Sequence, residues 1–149
     1  MNTIREILSI LESMEESTTD QNSEISKKIK NLNIRGFGGD CPEAAIEINR
    51  KVFQNKGKIV GAVNKAMLEH GQYAIGHVAV LFNNNYWDVD AIPKSLDEIE
   101  SWAMLDPSDI EYAEMADDFG FEWNDDTASE VKIIEFENEQ ELYKVFSRC

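Results

Sequence analysis

Gly76-His-Val-Ala-Val-Leu-Phe82, Asn83-Asn84-Asn85 and Tyr86-Trp-Asp-Val-Asp-Ala91 read together as one β-hairpin. Both flanking runs are rich in β-branched and aromatic residues, and asparagine tolerates the left-handed backbone of a tight turn. With Asn83 and Asn84 as the turn, His77 falls opposite Asp90, and Ala79 opposite Asp88. Moving the turn to Asn84-Asn85 pairs Ala79 with Asp90 instead. Either register keeps the imidazole and both carboxylates on one face, whereas a three-residue loop separates them. Trp87 and Val89 then point to the other face, into the core.

Upstream of the hairpin, residues 58–63 read as a further strand, and residues 64–69 as a helical turn closed by His70-Gly71. His70 is expected at the surface, at a helix end. Before these, Arg35-Gly-Phe-Gly-Gly-Asp40 approaches Cys41-Pro42, and proline suits the first turn of a helix, where its missing N–H costs nothing. Asp40 or Cys41 is then the cap. Stepping residues at 100° places Ala44, Ala45, Ile46, Ile48, Val52 and Phe53 on one side, with Glu43, Glu47, Arg50 and Lys51 opposite. This is the pattern of a central helix buried along most of one face.

Two helices are expected nearer the beginning. Ile4, Ile7, Leu8, Leu11 and Met14 mark residues 2–15; a polar run at 16–22 interrupts, and Ile25, Ile29 and Leu32 mark a shorter helix with Lys27, Lys28 and Lys30 on its wet side. After the hairpin, Pro93 stops the sheet and residues 96–104 read as helix. Residues 106–129 read as helix followed by loop, 130–136 as a strand, and 139–147 as a closing helix with Leu142, Val145 and Phe146 inward. The expectation is one α+β domain over residues 1–149: helices in 1–34, a chemical core in 36–91, and an acidic helical region with a last strand and helix in 92–149. A chain of 149 residues with 42% hydrophobic and 29% charged residues fits one such domain with a real core.

The net charge of −15 is concentrated in the last third, where residues 97–149 hold three Lys/Arg against seventeen Asp/Glu. Such a field repels phosphate backbones and anionic membranes and attracts basic proteins or peptides, so neither nucleic-acid nor membrane binding is expected. No run approaches the roughly 20 apolar residues of a membrane span, and the charged first helix does not read as a signal peptide. Two cysteines make no disulfide framework, so an intracellular, cytoplasmic location is expected, with Cys149 a bystander. No Cys-x-x-Cys or His-x-x-x-His spacing suggests a metal, and the Asp117-Asp118 and Asp125-Asp126 pairs do not fit a calcium loop.

Attack by sulfur requires a thiolate, a base to take its proton, and a group that fixes the base's tautomer. Cys41 at a helix N-terminus, His77, and Asp88 or Asp90 supply these in order. The helix dipole favours the thiolate and aims backbone N–H groups at a developing oxyanion, while Asp40 and Glu43 work against it.

Gly39-Asp-Cys-Pro-Glu-Ala-Ala45, Gly76-His-Val-Ala-Val80 and Tyr86-Trp-Asp-Val-Asp90 resemble the papain-like superfamily, above all its transglutaminase-like and related small bacterial members, across residues 36–91. The resemblance implies a cysteine heading a central helix packed on an antiparallel sheet, with histidine and aspartate on adjacent strands. It makes Cys41 the nucleophile and His77 the general base. Asp88, in its Tyr-Trp-Asp setting, is the orienting acid, and Asp90 is the alternative that direct cross-strand pairing favours. Amide hydrolysis, deamidation, cross-linking or acyl transfer through a thioester follow, without cofactor or metal. Pro42 and Ala79 stand where many relatives carry aromatics, and no glutamine lies between Asn31 and Asp40, which points away from a papain-type peptidase. The rival expectation is a non-catalytic acidic binding or inhibitor protein, a nucleic-acid mimic on a degenerate papain-like scaffold. The enzyme reading requires the Cys41 sulfur within hydrogen-bonding reach of the imidazole, with a carboxylate behind that ring. A thiol enclosed in apolar packing, or an imidazole directed to the far side of the sheet, would end it and make the acidic binding protein the better account.

Overall fold

The computed structural model describes residues 21–34 and 42–146. The helix expected at residues 2–15, the glycine-rich approach at 35–40, Cys41 and Cys149 lie outside them. Helix α1 covers residues 21–31 and buries Ile25 and Ile29. There follow α2 (Pro42–Lys51), β1 (Lys58–Asn64), α3 (Lys65–Gly71), β2 (Gly76–Phe82), β3 (Asn85–Trp87), α4 (Leu96–Ser101), α5 (Ile110–Phe119), α6 (Asp125–Ser129), β4 (Val131–Phe136) and α7 (Glu139–Val145). The protein is α+β, with an antiparallel sheet in the order β3-β2-β1-β4.

Alternation along the strands divides the core in two. On one face Val63, Val78, Val80, Trp87 and Phe136 pack with Ile25 and Ile29 of α1, Ala45 and Ile48 of α2, and Leu142 of α7. On the other face Ala62 and Ala79 meet Ile99 and Ala103, flanked by Tyr86, Trp102 and Val131. The small side chains on this second face let α4 lie close to the sheet. Gly61 serves the first face: a Cβ there would come within 2.9 Å of the Phe146 ring and 3.0 Å of the Phe136 ring. These rings meet edge-on with centroids 6.1 Å apart.

The hairpin has the register expected from an Asn83-Asn84 turn: Val80 pairs with Trp87, Leu81 with Tyr86 and Phe82 with Asn85. Both turn asparagines have positive φ, 50° and 64°. That is the backbone whose twist matches the flanking strands. The return strand is shorter than expected, because it ends at Trp87 and residues 88–91 form a turn. Two interactions explain the ending. Asp88 Oδ1 accepts from the Asp90 N–H at 2.8 Å, closing a local turn, and Tyr86 exchanges both backbone hydrogen bonds with Lys94. Asp90 therefore has no cross-strand place opposite His77.

Residues 106–129 also differ from expectation, since helix α6 follows α5 where a loop was expected. Asn124 and Thr127 cap it reciprocally, each side chain receiving the other's backbone N–H. Buried Asn64 ties this region to the sheet: its Oδ1 caps α3 at the Met67 N–H, while its Nδ2 donates to the carbonyls of Thr127 and Ala128. Among the described residues, no helix is long and apolar enough to cross a membrane.

Candidate functional site

His77 is the second residue of β2 and shares its face with Ala79, so the strand directs its ring toward α4. Gly76 precedes it because β1 passes too close for a side chain; a Cβ would lie 1.8 Å from the Ala62 carbonyl oxygen. The imidazole edge meets the Trp102 ring, at the end of α4, with centroids 3.8 Å apart. Its Nε2 lies 3.0 Å from Asp88 Oδ2. Only 14% of the His77 side chain and 5% of the Asp88 side chain are exposed.

Asp88 is held from three sides. Besides His77, its Oδ2 accepts from Lys94 Nζ at 2.8 Å, and its Oδ1 takes the Asp90 N–H. Burial alone would push its carboxyl up. The hydrogen bonds from His77, Lys94 and the Asp90 backbone, with the charge of Lys94, outweigh burial and hold it below the usual carboxylate range. Burial likewise pulls Lys94 down, but its hydrogen bonds to Asp88 and Asp90 and the attraction of both carboxylates leave it raised. Lys94 Nζ also lies 2.7 Å from Asp90 Oδ2 and 4.8 Å from the Trp102 centroid.

An ionised carboxylate can only accept, so Asp88 selects the neutral imidazole tautomer with hydrogen on Nε2 and a lone pair on Nδ1. Nδ1 has no hydrogen-bond partner among the described residues. The cluster is a histidine oriented by a buried acid and screened by an indole, an arrangement in which a neutral ring can accept a proton at Nδ1.

Of the sequence candidates, the structure brings together His77 and Asp88. Asp90 is 63% exposed in its side chain and reaches Lys94, not His77. Cys41, directly before the first residue of α2, lies outside the described residues. The body of α2 packs on the sheet face opposite the imidazole. His70 is exposed at the end of α3, as expected, and stacks on Phe121.

Two members of the cluster carried no sequence signal of a role. Lys94 follows a proline that reads only as a sheet stop, and its side chain reaches Asp88 because its backbone bridges to Tyr86. Trp102 reads as packing; the signal available was its helical spacing from Ile99, which puts both on the side of α4 that faces the sheet. Among the described residues no group of three His, Cys, Asp or Glu is placed to hold a metal.

No family model, curated protein or solved structure matches the chain.

Proposed function

We propose that the chain is a thiol-dependent acyl-transfer enzyme of papain-like, transglutaminase-like architecture, in which Cys41 attacks a carboxamide or related acyl group. One observation carries this reading: a screened His77–Asp88 pair whose Nδ1 is left without a partner among the described residues. Nδ1 takes the thiol proton as sulfur attacks the carbonyl carbon. The resulting imidazolium returns that proton to the departing amine as the tetrahedral adduct collapses to a thioester. Water or an amine then attacks the thioester, losing its proton to Nδ1, and the sulfur leaves and takes that proton back from the imidazolium.

The placement of α2 bears on how sulfur and imidazole meet. Asn49, in its last turn, bonds both the N–H and the carbonyl of Gly57, beside Val80 and Leu81 at the far end of β2 from His77. Ten residues at 1.5 Å each extend the helix back by about 15 Å. The enzyme reading requires that its first turn lie at the end of the sheet where His77 begins β2. The same reading requires an approach around that end, because the body of α2 packs on the other face of the sheet. The acidic last third favours a basic protein or peptide substrate, and turnover that is insensitive to salt and to charge reversal of Asp117, Asp118, Asp125 and Asp126 would remove that preference.

The imidazole's position on the face away from α2 counts against the enzyme unless the sulfur passes around the end of the sheet, and it favours a second reading, an acidic binding protein in which the His77 cluster only clips α4 to the sheet. Alkylation with iodoacetamide separates the two. The enzyme reading expects Cys41 to react much faster than Cys149, with a pH midpoint well below the ordinary ~8.5 of a free thiol. An inert Cys41, with binding to a basic partner that survives Cys41→Ala, establishes the second.

A further inference from the structure

A buried carboxylate whose only cation is a histidine stabilises that histidine as imidazolium, and an imidazolium cannot accept a proton. Asp88 is not in that position. Its Oδ2 is shared between His77 Nε2 at 3.0 Å and Lys94 Nζ at 2.8 Å, so a permanent cation lies against the same oxygen. We propose that Lys94 is a positioning residue, the fixed counter-charge of Asp88 that lets the acid orient His77 without holding it protonated. Its part in acyl transfer rests on the thiol-enzyme reading above.

The surroundings of Lys94 fit this role better than that of a surface ion pair. Its side chain is 10% exposed and lies over the Trp102 ring, the same ring that His77 touches. Its backbone exchanges two hydrogen bonds with Tyr86, which fixes where the side chain starts. Asp90 takes a second ammonium hydrogen at 2.7 Å and prevents the amine from swinging away. With His77 neutral, the four groups His77, Asp88, Lys94 and Asp90 sum to one negative charge; with His77 protonated they are neutral. Without Lys94, Asp88 would face the ring with no other cation on its carboxylate, and Asp90 would be left unpaired beside it. No other charged side chain is hydrogen-bonded or ion-paired to this group among the described residues. On α4, Asp97 and Glu98 are exposed and Glu100 is half-buried, and the β1 residue paired with His77 is Ala62.

The test is an NMR titration of the two imidazoles in the full-length protein, with exposed His70 as internal reference. The variants are Lys94→Gln, which keeps a donor for Asp88 without the charge, Lys94→Met and Lys94→Arg. The His77 midpoint is expected to rise by about one pH unit in the Gln and Met variants and to return with Arg, while His70 stays put. A His77 midpoint equal in wild type and Lys94→Gln overturns the proposal, as does a Lys94→Gln protein that cannot fold, since Lys94 is then structural. The titration does not involve Cys41, so an inert thiol beside a shifted His77 would sink the acyl-transfer reading alone.

Discussion

Asp88 and Asp90 are equivalent to a rule of strand alternation, yet the folded chain gives them unlike surroundings. Asp88 is buried against His77, and Asp90 reaches only Lys94 at the surface. The difference arises because the strand stops at Trp87, and the Asp88 carboxylate itself helps to stop it by taking the Asp90 N–H. Asp88→Asn removes the charge and turns one accepting oxygen into a donor, so the tautomer is no longer fixed, and it leaves Lys94 half-paired in a buried place. Turnover of an acyl substrate should fall by about 10²- to 10⁴-fold, with much less loss for Asp90→Asn. Steady-state kinetics of the two variants decide this, and equal losses would contradict the assignment of Asp88 as the orienting acid.

At the scale of the element, the hairpin depends on two asparagines in left-handed backbone. A residue with a Cβ and no local hydrogen-bonding side chain pays about 1 kcal/mol or more there, while glycine adopts the conformation freely. Asn84→Ala should therefore lower stability by about 1 kcal/mol in urea denaturation, and Asn84→Gly should match or exceed wild type. The reverse ranking would mean that the turn does not set the register. Gly61 limits β1 in another way, since Gly61→Ala pushes a methyl group into the Phe136 and Phe146 rings and should cost about 1–3 kcal/mol. The hairpin was legible because turn chemistry and alternation are local. Helix α6 was hidden because its reciprocal cap, Asn124 with Thr127, lies in an acidic run that reads as loop.

For the molecule as a whole, the buried cluster sets how stability responds to pH. The carboxyl of Asp88 is depressed in the folded state, so its contribution is complete above its ordinary value of about 3.9 and is lost as pH falls toward the folded one. Lys94 is raised, so its contribution holds below about 10.4 and is lost as pH climbs through the folded value. The contributions of Asp88 and Lys94 to the denaturant midpoint should be flat from about pH 5 to 9 and fall on both sides. Asp88→Asn should flatten the acid limb; an acid limb unchanged in that variant would place the pH dependence elsewhere.

Local chemistry determined much of this protein in advance: its α+β class, a tight asparagine turn, and a histidine on the same sheet face as an aspartate. Each of these depends on neighbours within a few residues, through periodicity, backbone preference and cross-strand parity. The tertiary structure decided which aspartate holds His77, and it recruited Lys94 and Trp102 from beyond the hairpin. It also turned the imidazole toward α4 and away from α2. Those outcomes rest on how a strand ends and on which side of the sheet each helix packs. Both follow from burial and pairing between distant segments, and no spacing within one segment encodes them.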